Sequence, residues 1–200
     1  SHFLNCIIKI RLITKYYLYI MKFLSGIILR MMGWKINPTV PNNISKCVLV
    51  MGPHTSNWDF VIGRLAFFYL GVKPKIIIKK ELFFPPLGWI LKGLGGIPVD
   101  RKKKNNMTDY AVKLFEKNDR FYLLFTPEGT RKYNPNWKKG FYYISRKAEV
   151  PIVICYLDYP SKTGGIHSVV NPMDNAVESI EYIKTILRTY KGKFPDQGIL

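Results

Sequence analysis

The sequence predicts an α/β fold: a single domain with a largely parallel central sheet flanked by helices on both faces, preceded by a basic amphipathic helical arm. Three observations predict it. Apolar runs of strand length recur at 47–51, 75–80, 97–101, 120–125 and 150–154, and stretches of helical periodicity separate them. Most of these runs end in a glycine or proline break, as at Gly52-Pro53 and Thr126-Pro127-Glu128-Gly129. Finally, 200 residues with 48% hydrophobic content suit one ordinary core. The expected division is an arm over 1–36 and a domain over 37–200, joined by the turn-rich segment 37–43.

The arm, residues 3–34, is rich in Ile, Leu, Tyr and Met and carries Lys9, Arg11, Lys15, Lys22 and Arg30. No uncharged apolar run reaches the roughly 18–20 residues that a bilayer crossing needs. Basic residues interrupt the segment and no small-residue cleavage site follows an apolar core, so a cleaved signal is not expected. At about 100° per residue, Arg11, Lys15, Lys22 and Ser25 share a sector roughly 80° wide, while Lys9 and Arg30 fall outside it. The remaining face is apolar. This pattern predicts one helix, or two broken near Gly26, lying in a membrane interface with basic side chains toward lipid headgroups. No acidic residue precedes Asp59, so an anionic membrane surface is the expected partner and a peripheral or monotopic position on the cytoplasmic face the expected location.

Charge narrows the function classes. A net charge of +18 and a pI near 9.8 favour nucleic acid, anionic membranes, or phosphate-bearing and acidic partners. No recognition helix, zinc finger or aromatic RNA-binding strand is visible, so nucleic acid is not expected. Cys6, Cys47 and Cys155 are few, odd in number and set among apolar residues, as reduced thiols of a cytosolic compartment are. With His2, His54 and His167 the only histidines and no zinc spacing, neither a metal nor a cofactor is expected.

Taken in order, the strand at 47–51 breaks at Gly52-Pro53 and is followed by His54-Thr55-Ser56-Asn57-Trp58-Asp59. Ser56-x-x-Asp59 has capping-box spacing, which starts a helix that continues through 60–68. Five steps around one helix would hold His54 and Asp59 about 140° apart. With His54 in the turn and Asp59 in the first helical turn, the carboxylate instead reaches back to one imidazole nitrogen and leaves the other as a general base. A helix cap beside an ordinary loop histidine fits this stretch as well.

Gly71 to Pro74 then breaks the chain before the strand at 75–80, and an aromatic, proline-punctuated segment at 81–89 leads into a short helix ending at 93–96. Arg101 closes the next strand, where its guanidinium suits bidentate contact with a phosphate, and Lys102 to Lys104 read as a solvated loop. A helix at 108–118 turns Ala111, Val112, Leu114 and Phe115 inward. The strand at 120–125 ends in Glu128-Gly129-Thr130-Arg131, where a glycine turn exposes backbone N–H groups beside a fixed positive charge. A helix from Trp137 to about Ala148, a Gly164-Gly165 turn closing a hairpin at 166–170, and a helix at 178–190 complete the chain. His167 reads as a surface histidine.

His54, Ser56 and Asp59 resemble the first motif of the glycerolipid acyltransferase family, whose best-known members are lysophosphatidic acid acyltransferases. Lys80 to Arg101 resembles the second motif, Glu128-Gly129-Thr130-Arg131 the third and 150–154 the fourth, together spanning about 53–154. Pro53 stands where many relatives have Asn, and Ile154 where a second proline is common. The resemblance implies transfer of a fatty acyl group from a thioester of acyl carrier protein or coenzyme A to a lysophospholipid acceptor such as 1-acylglycerol-3-phosphate. Read onto these positions, His54 and Asp59 are the general base and its orienting carboxylate. Arg101 and Arg131 bind an acceptor phosphate, and Lys80 is expected beside them. Gly129 and Thr130 belong to the same acceptor- and phosphate-binding turn, Glu128 orders that turn or contacts the acceptor, and backbone N–H groups near Gly129 stabilise the oxyanion. No acyl-enzyme is expected, because Ser56 lacks a G-x-S-x-G elbow and Cys155 lies within an apolar strand. A lipid hydrolase using the same pair on water is the alternative, and a basic nucleic-acid-binding protein a more distant one.

Overall fold

In the computed structural model of the chain, residues 2–41, 43–100 and 107–200 are described, with side chains from Tyr16 onward. The elements run α1 (His2–Met31), β1 (Lys35–Ile36), β2 (Lys46–Gly52), α2 (Trp58–Leu70), β3 (Ile76–Lys79), α3 (Leu87–Gly93), β4 (Gly96–Val99), α4 (Met107–Lys117), β5 (Phe121–Phe125), α5 (Gly140–Ala148), β6 (Ile152–Asp158), β7 (Thr163–Val170) and α6 (Ala176–Leu187).

Strand β2 is the axis of the domain. Its side chains alternate, and both faces are buried, so it is apolar throughout. Val48 and Val50 enter one core with Phe115, Phe141, Ile183 and Leu187 from α4, α5 and α6. Cys47, Leu49 and Met51 enter the other with Ile62 and Phe67 of α2 and Leu29 of α1. Strand β6 divides the same way, Ile152 and Ile154 against Val153, Cys155 and Leu157.

The sheet order is β1-β7-β6-β2-β5, parallel at β1–β7, β2–β6 and β2–β5 and antiparallel only at β6–β7. Strands β3 and β4 form a parallel pair of their own. Lys75 joins that pair to the edge of β5, accepting from Leu124 N–H at 2.9 Å and donating to the Tyr122 carbonyl at 2.7 Å, so the whole surface continues as one curled sheet. The C-terminal ends of β2, β5 and β3 therefore open toward one crevice, the usual ligand position in open α/β sheets.

Two local expectations change. Of the two forms expected for the arm, α1 is one helix through Gly26, and what differs is the place of Ser25. A Cβ on Gly26 would stand 3.1 Å from the Tyr69 ring, so the glycine serves the close approach of α1 to α2. Docking through Gly26 and Leu29 carries Ser25 into the buried side, away from any polar stripe, and leaves Tyr16, Tyr19, Ile20, Phe23, Leu24, Ile28 and Met31 exposed. No helix among the described residues is long and apolar enough to cross a membrane.

The second change is at the hairpin. Gly164 and Gly165 lie inside β7, and the turn is made by 159–162, with Lys162 at φ 49° and Ser161 N–H donating to Asp158 Oδ2 at 3.3 Å. The glycines answer to packing: a Cβ on Gly164 would meet Leu157 Cδ2 at 2.7 Å, and one on Gly165 would meet Asn37 Cβ at 2.9 Å. Small residues here let the chain beyond β1 lie against β7.

Candidate active site

Strand β2 ends at Gly52, and the chain passes through the cis Gly52–Pro53 peptide to His54 before α2 begins. The start of α2 is built reciprocally. Ser56 Oγ accepts from Trp58 N–H at 3.2 Å, while Asp59 Oδ2 accepts from Ser56 N–H at 2.9 Å and Thr55 N–H at 2.8 Å. The half of the predicted box in which Asp59 reaches back to Ser56 N–H is present, with Asp59 in the first turn, while the helix starts one residue later, at Asn57, whose own side chain does not cap it.

The same carboxylate oxygen lies 3.1 Å from His54 Nδ1. Its other oxygen, Oδ1, accepts from the Tyr159 hydroxyl at 2.6 Å. Asp59 is only 3% exposed. Burial pushes its carboxyl toward the neutral form, yet the hydrogen bonds from His54, Tyr159 and Ser56 more than reverse that and hold its pKa below the usual carboxylate range. An ionised carboxylate at Nδ1 calls for the tautomer with hydrogen on Nδ1, leaving Nε2 as the proton acceptor. Tyr159 stays a donor, because burial and then the Asp59 charge push its phenol well above the ordinary range.

Tyr159 is the residue that local reading missed. It stands 100 positions from Asp59 in the chain. Pairing of β6 with β2 sets Tyr156 opposite Gly52 and so brings the two strand ends together. A polar aromatic just past an apolar strand was the available signal, and only topology gives it meaning.

Glu128 braces the histidine from behind. Its Oε1 accepts from His54 N–H at 2.9 Å, and its Oε2 is buried without a hydrogen-bond partner among the described residues. Burial raises its pKa to about 7. It lines a separate cavity of about 110 Å³ with Lys184 and Arg188, not the cavity that His54 faces. The turn that its carboxylate orders is the one carrying His54.

Because folding raises this pKa from 4.5, the folded state binds more protons than the unfolded chain between pH 4.5 and about 7. Stability therefore falls as pH rises through that window, by roughly 3 kcal/mol in all. Glu128→Gln keeps an acceptor for His54 N–H and is expected to flatten the dependence. Melting curves from pH 5 to 8 check this, and an unchanged slope in the variant would assign the titration to another group.

His54 and Asp59 face a cavity of about 240 Å³ that Arg64 and Arg131 also line and whose remaining walls are largely apolar, including Phe67, Ile76, Ile78 and Leu124. A larger open groove of about 780 Å³ lies between α1 and β1, but it holds no carboxylate, imidazole or thiol and is not where the acid–base pair sits.

Of the remaining expected site residues, Gly129 adopts φ +68°, and a Cβ there would fall 2.6 Å from Lys138 Cε. Its N–H donates to the Thr126 carbonyl at 3.1 Å. The turn uses this N–H to close itself. Thr130 Oγ1 accepts from Lys132 N–H at 3.3 Å. Lys80 is exposed in the single 3₁₀ turn Lys80–Leu82 and does not line the cavity. Arg101 lies outside the described residues. Cys47 and Cys155 are buried free thiols, and burial pushes both pKa values up, Cys47 to about 12. Among the described residues no group of three or more His, Cys, Asp or Glu is arranged to hold a metal ion.

Comparison with known proteins bears on this geometry. Among curated proteins none gives a significant match to the sequence. The fold is similar to that in the crystal structure of the 1-acyl-sn-glycerophosphate (LPA) acyltransferase PlsC from Thermotoga maritima. The TM-score is 0.63 at 18% identity, over 86% of this chain and 77% of that one. The family described as Acyltransferase matches residues 35–158, from β1 to the end of β6, and so includes the His54–Asp59 pair, Tyr122 to Arg131 and the strand behind them. That span exceeds half of the chain, and on it the protein belongs to the acyltransferase family.

Proposed function

We propose that the protein moves a fatty acyl group from the thioester of acyl carrier protein or coenzyme A to the hydroxyl of a lysophospholipid, with 1-acylglycerol-3-phosphate as the first acceptor to try. The observation that carries this reading is the His54 Nδ1 to Asp59 Oδ2 contact of 3.1 Å at the polar end of a cavity that also holds Arg131. The fold likeness to an enzyme described as acting on 1-acyl-sn-glycerophosphate supports the acceptor class.

In the proposed mechanism His54 Nε2 takes the proton from the acceptor hydroxyl as its oxygen attacks the thioester carbonyl. Asp59 stabilises the imidazolium that forms. The tetrahedral intermediate then expels the thiolate, which takes the proton back from His54, so the enzyme returns to its starting state. Arg131 holds the acceptor phosphate, which fixes the distance between hydroxyl and imidazole. The arm over 1–36 lies in the interface of an anionic membrane, on the cytoplasmic side. The exposed Ile20, Phe23, Leu24, Ile28 and Met31 of α1 support this, as do Trp58, Phe60 and Val61 at the start of α2.

The test is acyl transfer from labelled acyl carrier protein and acyl-CoA into a panel of lyso-acceptors. Acyl release that needs no acceptor would instead identify a hydrolase. Arg131→Ala is expected to raise KM for phosphate-bearing acceptors by about 10- to 100-fold, the worth of a charge-assisted contact, with little change for a monoacylglycerol. Equal losses with charged and uncharged acceptors would remove Arg131 from the phosphate site.

A further inference from the structure

We propose that Arg64 is a second anion-binding residue of this cavity, receiving a substrate phosphate together with Arg131; the proposal rests on the acyl-transfer reading above. Three observations carry it. First, Arg64 lies on the face of α2 that lines the cavity, among Phe60, Gly63 and Phe67. A guanidinium is out of keeping with the apolar residues around it on that wall. Second, its Nε and Nη1 are buried and have no hydrogen-bond partner among the described residues. Buried donors are nearly always paired, and an orphaned guanidinium edge marks a place where an acceptor belongs. Third, the group is held in position: its Cζ sits 4.6 Å over the Phe68 ring.

Among the described residues Arg64 makes no ion pair with a carboxylate, and the titratable group beside it is the Tyr17 phenol of α1. Asp59, the acid on the same cavity, already accepts from His54, Thr55, Ser56 and Tyr159. Without an anion the cavity keeps two like charges, Arg64 and Arg131, on its walls. Burial works against the Arg64 charge, lowering its pKa, although an arginine remains cationic at neutral pH. A phosphate answers both demands, since its oxygens match the guanidinium fork and its charge offsets the pair. Two substrates could bring one: the acceptor's phosphate monoester or the phosphates of the donor's pantetheine arm.

The first measurement needs no catalysis. Glycerol 3-phosphate is expected to raise the melting temperature of the wild-type protein, and uncharged glycerol at the same concentration is not. Arg64→Met is expected to lose that shift, Arg64→Lys to keep only part of it, and Lys113→Met, an exposed change on α4, to keep it whole. Loss of the shift equally in Lys113→Met would show a diffuse charge effect and overturn the proposal.

The second measurement locates the phosphate. With 1-acylglycerol-3-phosphate, Arg64→Met is expected to raise KM at least about tenfold while transfer to monoacylglycerol is unchanged. A penalty that instead appears with acyl-CoA and vanishes with an acyl N-acetylcysteamine thioester assigns the residue to the donor phosphate, which also supports the site. Equal fold-changes across all substrates, or none, overturn it. Should Arg64→Met fail to fold, the partial shift of Arg64→Lys decides alone, and a full wild-type shift in that variant counts against the fork. Phosphate-dependent stabilisation lost in Arg64→Met, in a protein that transfers no acyl group, would keep the anion site and overturn the acyl-transfer reading instead.

Discussion

Replacing His54 with alanine is expected to lower kcat for acyl transfer by about 10³-fold, within the range for losing a positioned general base. The melting temperature should hardly move. The imidazole is partly exposed, with side-chain exposure of 15%, and among the described residues its ring hydrogen-bonds Asp59 alone. Glu128 grips the His54 backbone N–H, not the ring, so the loop stays anchored when the side chain is removed. A structural histidine would give the opposite pattern, with stability lost and turnover of the surviving folded protein kept. Single-turnover rates alongside thermal melts separate the two, and a variant with near wild-type turnover would end the general-base assignment. The effect should also be independent of acceptor charge, in contrast with the changes expected at Arg131 and Arg64.

What sequence could show follows from how locally each feature is encoded. The apolar runs of β2 and β6 are a property of neighbouring residues, and a run apolar at every position marked strands buried on both faces. The His54–Asp59 contact was legible because a break, a cap and five positions put the two side chains within reach, although the later motifs were needed to prefer it over a plain helix cap. Tyr159 and the Glu128 brace were not, since each depends on strand ends that meet only through the parallel pairing of β2 with β6 and β5. Arg64 was hidden differently. One arginine in an amphipathic stretch reads as part of a solvated face, and only its orphaned donors distinguish it. Gly164 and Gly165 misled because glycine pairs serve close packing as well as turns. Helix α1 showed its apolar face in the sequence, but not which side docks on α2.

Asp59→Asn is expected to separate the two jobs that one carboxylate performs. Oδ2 accepts from two backbone N–H groups and from the imidazole, while Oδ1 accepts from Tyr159. An asparagine can keep its single oxygen at the Oδ2 position, where three donors converge, and turn its amide toward Tyr159, whose hydroxyl then accepts. Most of the cap survives, with charge-assisted bonds exchanged for neutral ones, at a cost of about 2 kcal/mol. The negative charge that favours the imidazolium does not survive, and kcat is expected to fall by about 10²- to 10³-fold. Asp59→Ala should match that kinetic loss while costing roughly 3–5 kcal/mol, because buried N–H groups lose their acceptor. Acid titration adds an independent sign. The folded pKa lies below the ordinary 3.8, so the carboxylate's contribution is complete above that value and is lost as pH falls through the folded pKa. The asparagine variant lacks this term and should unfold less steeply in acid. Wild-type kcat in a folded Asp59→Asn protein would leave the aspartate as a helix cap alone, with His54 oriented only by the backbone that Glu128 holds.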